Sequence, residues 1–164
     1  VGSEMCIRDS IDTKQIKSLR VDMAQRESKL AHNIKKSAND VLLNAESDSK
    51  ALAPRDGGRL ESSITSSKAK YESGYVSGVV GSNLVYALRR HEEAPRIGTY
   101  NKYEDGVKYE GYYVNGRGEI TRSKPNVGGF KPGRKYLYNS SLLNEMNWRN
   151  SIAEAIADTY RGLG

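Results

Sequence analysis

The chain of 164 residues contains one cysteine, Cys6, and two histidines, His32 and His91. A single cysteine forms no intramolecular disulfide and excludes a cysteine-based zinc site. Nowhere does an apolar run approach the roughly 20 residues that a membrane-spanning helix needs. The first residues also lack the basic-then-apolar order of a secretory signal. These absences predict a soluble protein made in a reducing compartment, with no membrane contact. Hydrophobic residues make up only 37% of the chain and charged ones 28%. The leucines, isoleucines and valines nevertheless fall in periodic clusters, so the chain is expected to fold, and its length suits one domain.

The opening "VGSEMCIRDS" has no initiating methionine and follows no periodicity. It looks like a translated sequencing adapter or linker, so residues 1–10 are set aside as non-native. Residues 11–164 are then read as a single α+β domain without cysteine, with 95–132 as a hairpin or loop insertion.

From Ile16 to Ala45 apolar residues recur at steps of three, four or seven, among them Leu19, Met23, Leu30, Ile34, Val41 and Leu42. That stripe predicts an amphipathic helix of about 30 residues, about 45 Å long, which exceeds what a small core needs. Part of it is therefore expected to meet another chain. Pro54 ends the pattern, because the residue before a proline is pushed out of the helical basin, and Gly57-Gly58 permit a turn. Beyond it Leu60, Ser62, Ile64 and Ser66 alternate with polar residues, which predicts a strand. "GYVSGVVGS" at 74–82 predicts a second, with Glu72-Ser73-Gly74 as the connecting turn. "LVYALRRHEEA" at 84–94 fits either a strand or a short helix. "VKYEGYYV" and "EITR" flank Asn115-Gly116-Arg117-Gly118, a strong hairpin signal in a polar, glycine-rich setting, so a hairpin is expected to extend from the body. A helical region is expected from Tyr136 onward, with Gly162 and Gly164 at its end.

Candidate chemistry is sparse. "LAPRDGGRLESSI" at 52–64 lacks the Gly-Lys-Ser/Thr of a phosphate loop and places a helix before the glycines rather than after them, so it reads as a turn. "NGRGE" at 115–119 lacks the third glycine and the helix of a dinucleotide site. In "HEEAP", His91, Glu92 and Glu93 are metal-ligand types. A zincin helix needs a second histidine four residues away, and the other histidine is the distant His32, so a surface or capping cluster is expected. No Gly-x-Ser-x-Gly elbow accompanies the serines. No catalytic constellation and no cofactor site emerge.

The net charge of +6 is concentrated: residues 95–138 hold nine Lys or Arg against four Asp or Glu. In this segment Tyr100, Tyr103, Tyr109, Tyr112 and Tyr113 are interleaved with Arg96, Lys102, Lys108, Arg117, Arg122 and Lys124. Such a mixture suits protein interfaces, where tyrosine and arginine are enriched, and also nucleic acid, through stacking and phosphate pairing. Protein contact is ranked first. A basic nucleic-acid-binding module is the alternative.

Taken together, three segments resemble the tail-completion, or head-tail joining, proteins of tailed bacteriophages, a family of minor capsid or minor structural proteins. The first is Ala53, Pro54, Arg55, Asp56, Gly58, Leu60, Ser63 and Ile64, matching an Ala-Pro-basic-Asp/Thr-Gly-x-Leu-x-x-Ser-Ile pattern, with Gly57 where threonine is usual. The second is Tyr86, Ala87, His91 and Glu92. The third is Gly133, Tyr136 and Leu137 ahead of the last helix. The 95–132 segment is longer than in the shorter members. The resemblance implies a long N-terminal helix packed on a small antiparallel sheet, and a C-terminal helix. It also implies a structural virion protein, not an enzyme, that forms a ring, commonly of six copies, in the neck at the head-tail interface. Its partners would be itself, the head connector or adaptor, and the tail-tube or tail-terminator proteins. Assembly would take place in the host cytoplasm. DNA passing through the lumen would meet basic side chains without its sequence being read. The hairpin of residues 107–122 is the candidate contact with a neighbouring subunit.

Overall fold

A computed structural model describes residues 13–161. The expected adapter segment at 1–10 and the glycines Gly162 and Gly164 lie outside the described residues. The fold is α+β: two long helices side by side, three small antiparallel sheets and three one- or two-turn helices.

The first helix, α1, spans Thr13–Leu52. It runs seven residues past Ala45, until Pro54 forbids continuation. The last, α5, spans Tyr136–Tyr160. The two are antiparallel: Ser140 Oγ donates to Ala45 O at 2.7 Å near one end, and Asn33 Nδ2 donates to Thr159 Oγ1 at 3.0 Å near the other. Ile34, Ala38, Val41 and Leu42 of α1 and Ala155 of α5 are buried. This half of the apolar stripe behaves as an amphipathic helix should. Residues Ala24–Lys29 are exposed on every side. There α1 has run beyond the end of α5.

Between Leu52 and the first strand the chain departs from the expected pattern. The strand expected from Leu60 begins only at Ile64, because Arg59–Ser63 forms a short helix, α2. Ser62 N donates to Gly58 O at 3.0 Å, and Leu60 and Ile64 are both buried. A spacing of four suits a helical turn as well as it suits alternation; Ser62, which alternation would place on the same face as Leu60 and Ile64, is exposed, and that decides for the helix. Strand β1, Ile64–Ser66, leads to the hairpin β2, Lys70–Glu72, and β3, Tyr75–Ser77, turned as expected by Ser73 and Gly74, both at positive φ.

The single strand expected over 74–82 is divided in two. β3 pairs β2, while β4, Val80–Ser82, returns to β1. At the break Gly78 lies against Leu42 of α1, where a Cβ would come within 2.3 Å of the leucine Cδ1. The helix surface thus interrupts the ladder.

Helix α3, Ala87–Glu92, settles the ambiguous 84–94 segment. Next comes the longest ladder, β5, Thr99–Glu104, against β6, Val107–Val114, joined at Asp105-Gly106. Asn115-Gly116 turns the chain as expected into β7, Arg117–Gly118. "EITR", expected as a strand, is instead part of the short helix α4, Glu119–Ser123, because Thr121 turns inward to bond the chain at Arg55.

The core has two centres. Leu52, Ala53, Leu60, Ile64, Ala87 and Tyr136 form one, with Leu137 packed against it. Ala38, Leu42 and Ala69 form the other, with Trp148 and Ile152 alongside. Glu46 of α1 fastens the sheet to the helix by accepting from both the N–H and the Oγ of Ser66 at 2.7 Å. Hydrogen bonds from Lys50 and Ser66 lower its pKa from an ordinary 4.5 to about 2.

Candidate functional site

The three segments carrying the sequence resemblance meet at one joint, where α1 ends. A helix leaves its last four carbonyls without partners of its own. Here two of them, and the next carbonyl along, are met by residues far along the chain. Gly133 N donates to Leu52 O at 2.8 Å. Lys124 Nζ donates to Lys50 O at 3.0 Å and to Ala53 O at 2.8 Å, and also pairs with Glu61 of α2. A cation is well placed there, against the negative end of the helix dipole. Thr121, fully buried, brackets the turn: its Oγ1 accepts from Arg55 N at 2.9 Å and donates to Arg55 O at 3.1 Å.

His91 and Glu92 belong to the same joint. The His91 ring stands edge-on to Tyr136, with centroids 5.1 Å apart. His91 Nδ1 lies 2.7 Å from Glu92 Oε1, and Tyr138 N donates to His91 Nε2 at 3.4 Å. A carboxylate only accepts and an amide N–H only donates, so these partners assign the hydrogen to Nδ1 and the lone pair to Nε2. Both ring nitrogens are thereby occupied in holding α3 to the start of α5. Lys135 Nζ pairs with Glu92, Lys135 N donates to His91 O at 3.1 Å, and Tyr136 Oη donates to Ala87 O at 3.3 Å. Hydrogen bonds from Lys135 and then His91 hold the Glu92 carboxyl below its ordinary range. Burial raises the Tyr136 phenol above its own. Among the described residues, no three His, Cys, Asp or Glu side chains converge as metal ligands would.

The tyrosine-rich hairpin is fastened to the joint at its base and exposed at its tip. Asp56 accepts from Lys102 Nζ at 2.6 Å and from Tyr112 Oη at 3.4 Å. Lys102 also pairs with Glu104 at 2.8 Å, and the two carboxylates raise its pKa. Of the candidate interface residues, Tyr112 is buried within the chain, Tyr113 and Arg117 are half-buried, and Tyr109 and Arg122 are exposed. Arg122 Nη2 donates to Tyr112 O at 3.2 Å. Lys102 and Lys124, which the sequence offered as phosphate partners, are engaged inside the protein. Neither Thr121 nor Lys124 had a local signal, since each acts on residues 63 to 74 positions away. Asp105-Gly106 did carry one: it is the same kind of turn pair as Asn115-Gly116, and it closes the longer hairpin.

Beside the joint is a cleft of two adjoining hollows that share Pro54, Arg89, Arg90, Tyr113 and Gly116. One, of about 400 Å³, reaches Arg55, Arg59 and Tyr86, and the other, of about 520 Å³, reaches Arg96, Arg117 and Arg134. Their carboxylates are already engaged, Asp56 by Lys102 and Glu93 by Arg89.

Compared with family models, curated proteins and solved structures, the chain has no significant match.

Proposed function

We propose that this is a structural virion protein of a tailed phage or prophage, a subunit of the ring that completes the tail or joins it to the head. It acts by assembly and not by catalysis. The observation that carries the assembly reading is an apolar stripe on α5 that faces away from α1. Tyr138, Leu142, Met146, Ile156 and Tyr160 are each more than 40% exposed, and at 100° per residue all lie within one 80° sector. Asn144 and Ala155, on the opposite side, are buried. Arg149, paired with Glu145, divides the row into two clusters, and exposed apolar clusters aligned in this way mark protein contact. The exposed Ala24–Lys29 stretch of α1 is a second surface of different character, and a ring requires two unlike patches that meet between successive copies.

The resemblance at 53–64, 86–92 and 133–137 supplies the particular assembly: a homo-oligomeric ring, six copies being the common number, between the head connector and the tail tube. The convergence of those segments on one joint supports treating them as a unit. Native mass spectrometry of the full chain is expected to give a closed oligomer. Met146→Glu with Ile156→Glu is expected to give a monomer of unchanged melting temperature. A monomeric parent chain, or a variant that assembles undisturbed, would count against the reading. If the chain were a nucleic-acid-binding module instead, DNA binding would be tight at low salt and fall steeply as salt rises.

A further inference from the structure

The cleft beside the joint brings together more positive charge than the fold uses. Arg89 is paired with Glu93 at 2.8 Å, and Arg55 approaches Glu61 at 3.6 Å. Among the described residues no carboxylate comes within ion-pair distance of Arg59, Arg90, Arg96, Arg117 or Arg134, and Arg134 spends one N–H, its Nε donating to Glu92 O at 3.2 Å. Like charges collected in a concave site repel one another, and low-dielectric walls strengthen their common field. An anionic ligand relieves that repulsion.

Residue type distinguishes the joint from the hollows. The lysines around the joint, Lys102, Lys124 and Lys135, are held by internal carboxylates and carbonyls. The cations facing the open hollows are all arginines. A guanidinium presents a planar fork of N–H donors that matches a carboxylate or a phosphate two bonds at a time.

The aromatic rings decide between those two anions. Binding single-stranded nucleic acid rests on aromatic faces open to the bases. In this cleft the Tyr100 face is covered by Arg96, 4.3 Å from the ring centroid. Lys102 Nζ lies 4.9 Å over the Tyr112 ring, and Tyr113 packs edge-on against Tyr112 at 4.8 Å. Tyr86 is the one exposed ring among the tyrosines lining both hollows, and one ring is not a stacking platform. Hollows of this size admit an extended peptide but not a duplex.

We infer that this arginine cleft is a binding site for an acidic polypeptide segment of a partner protein, its carboxylates taken by Arg59, Arg90, Arg117 and Arg134. The inference concerns the cleft alone and does not depend on ring formation.

The test is fluorescence-anisotropy titration of the full chain with fluorescein-labelled decaglutamate and, separately, with a labelled ten-nucleotide oligothymidylate of nearly equal charge. Decaglutamate is expected to bind more tightly. Arg90→Ser with Arg117→Ser is expected to weaken it at least about tenfold, whereas Lys35→Ser with Lys36→Ser, which removes the same charge from exposed positions on α1, leaves it within about twofold. Arg90→Lys with Arg117→Lys keeps the charge but not the fork and should fall between them. Unchanged melting temperatures show that the variants are folded. Tighter binding of the oligonucleotide assigns the cleft to nucleic acid and overturns the inference. No decaglutamate binding, or equal losses in the Arg90/Arg117 and Lys35/Lys36 pairs, overturns it as well.

Discussion

At the joint, Lys102, Lys124 and Lys135 each meet a carboxylate or a helix carbonyl, whereas across Pro54, in the cleft, Arg59, Arg90 and Arg117 meet no carboxylate. The two regions differ in residue type, lysine against arginine, and they differ in geometry as well. The joint lies where a helix end and two short helices offer acceptors that must be satisfied, and the cleft lies where loops and a hairpin leave a hollow. A surplus of positive charge in a sequence is therefore two things at once: a fastening for the fold, and a reserve available to a partner.

Substitutions can break this contrast in order of expected effect. Tyr136→Ala removes a fully buried ring against which His91 and the first core centre pack. It should destabilise by about 3–5 kcal/mol in urea unfolding; a loss below about 1 kcal/mol would mean that the three segments are not held by a common core. Lys124→Met keeps most of the side chain but leaves the carbonyls of Lys50 and Ala53 and the Glu61 carboxylate without their donor. The expected cost is about 1.5–3 kcal/mol, and a neutral result would reclassify Lys124 with the cleft arginines.

Glu46→Gln should cost about 1–2 kcal/mol at pH 7 through weakened bonds to Ser66 and Lys50. The folded pKa of Glu46 is depressed from 4.5 to about 2. Its contribution is complete above pH 4.5 and is lost as the pH falls toward 2. The gap between parent and variant should accordingly close over that interval, and a gap constant with pH would refute the assignment. The smallest effect belongs to the cleft. Arg90→Ser with Arg117→Ser should shift stability by no more than about 0.5 kcal/mol, because neither side chain has a carboxylate partner to lose; a large loss would make those arginines part of the fold.

The elements legible in the sequence were those set by local periodicity or local turn chemistry. The α1 helix with the Ile34–Leu42 part of its stripe, the stop at Pro54, the Ser73-Gly74 and Asn115-Gly116 turns and the α5 region rest on such signals, and the structure has them, while the side chains of Ile16, Leu19 and Met23 lie outside the described residues. Boundaries decided by tertiary packing were not legible. Leu60 and Ile64 satisfy two periods at once, and only the core centre containing Tyr136 makes the first turn helical. The split of 74–82 depends on Leu42, more than 30 residues earlier. In the candidate site, the sequence marked His91, Glu92 and Gly133 but not what they touch. Thr121 sat unremarked in a segment read as a strand, and Lys124 was marked only as loose positive charge. Nor did composition distinguish the buried Tyr112 from the exposed Tyr109.

One mechanical property follows from the way α1 is terminated. A helix of 40 residues is about 60 Å long, and its last turn is gripped by Lys124, Gly133 and, through Arg55, Thr121. The rod is thus clamped at one end and held to α5 as far as Asn33, while Ala24–Lys29 stands clear of α5 toward the other end. A tilt of about 5° of the α1–α5 pair at the clamp would swing the far tip by about 5 Å, the rise of one helical turn. Small rotations among the elements around Pro54 are in this way geared into displacements large enough for a neighbouring molecule to register.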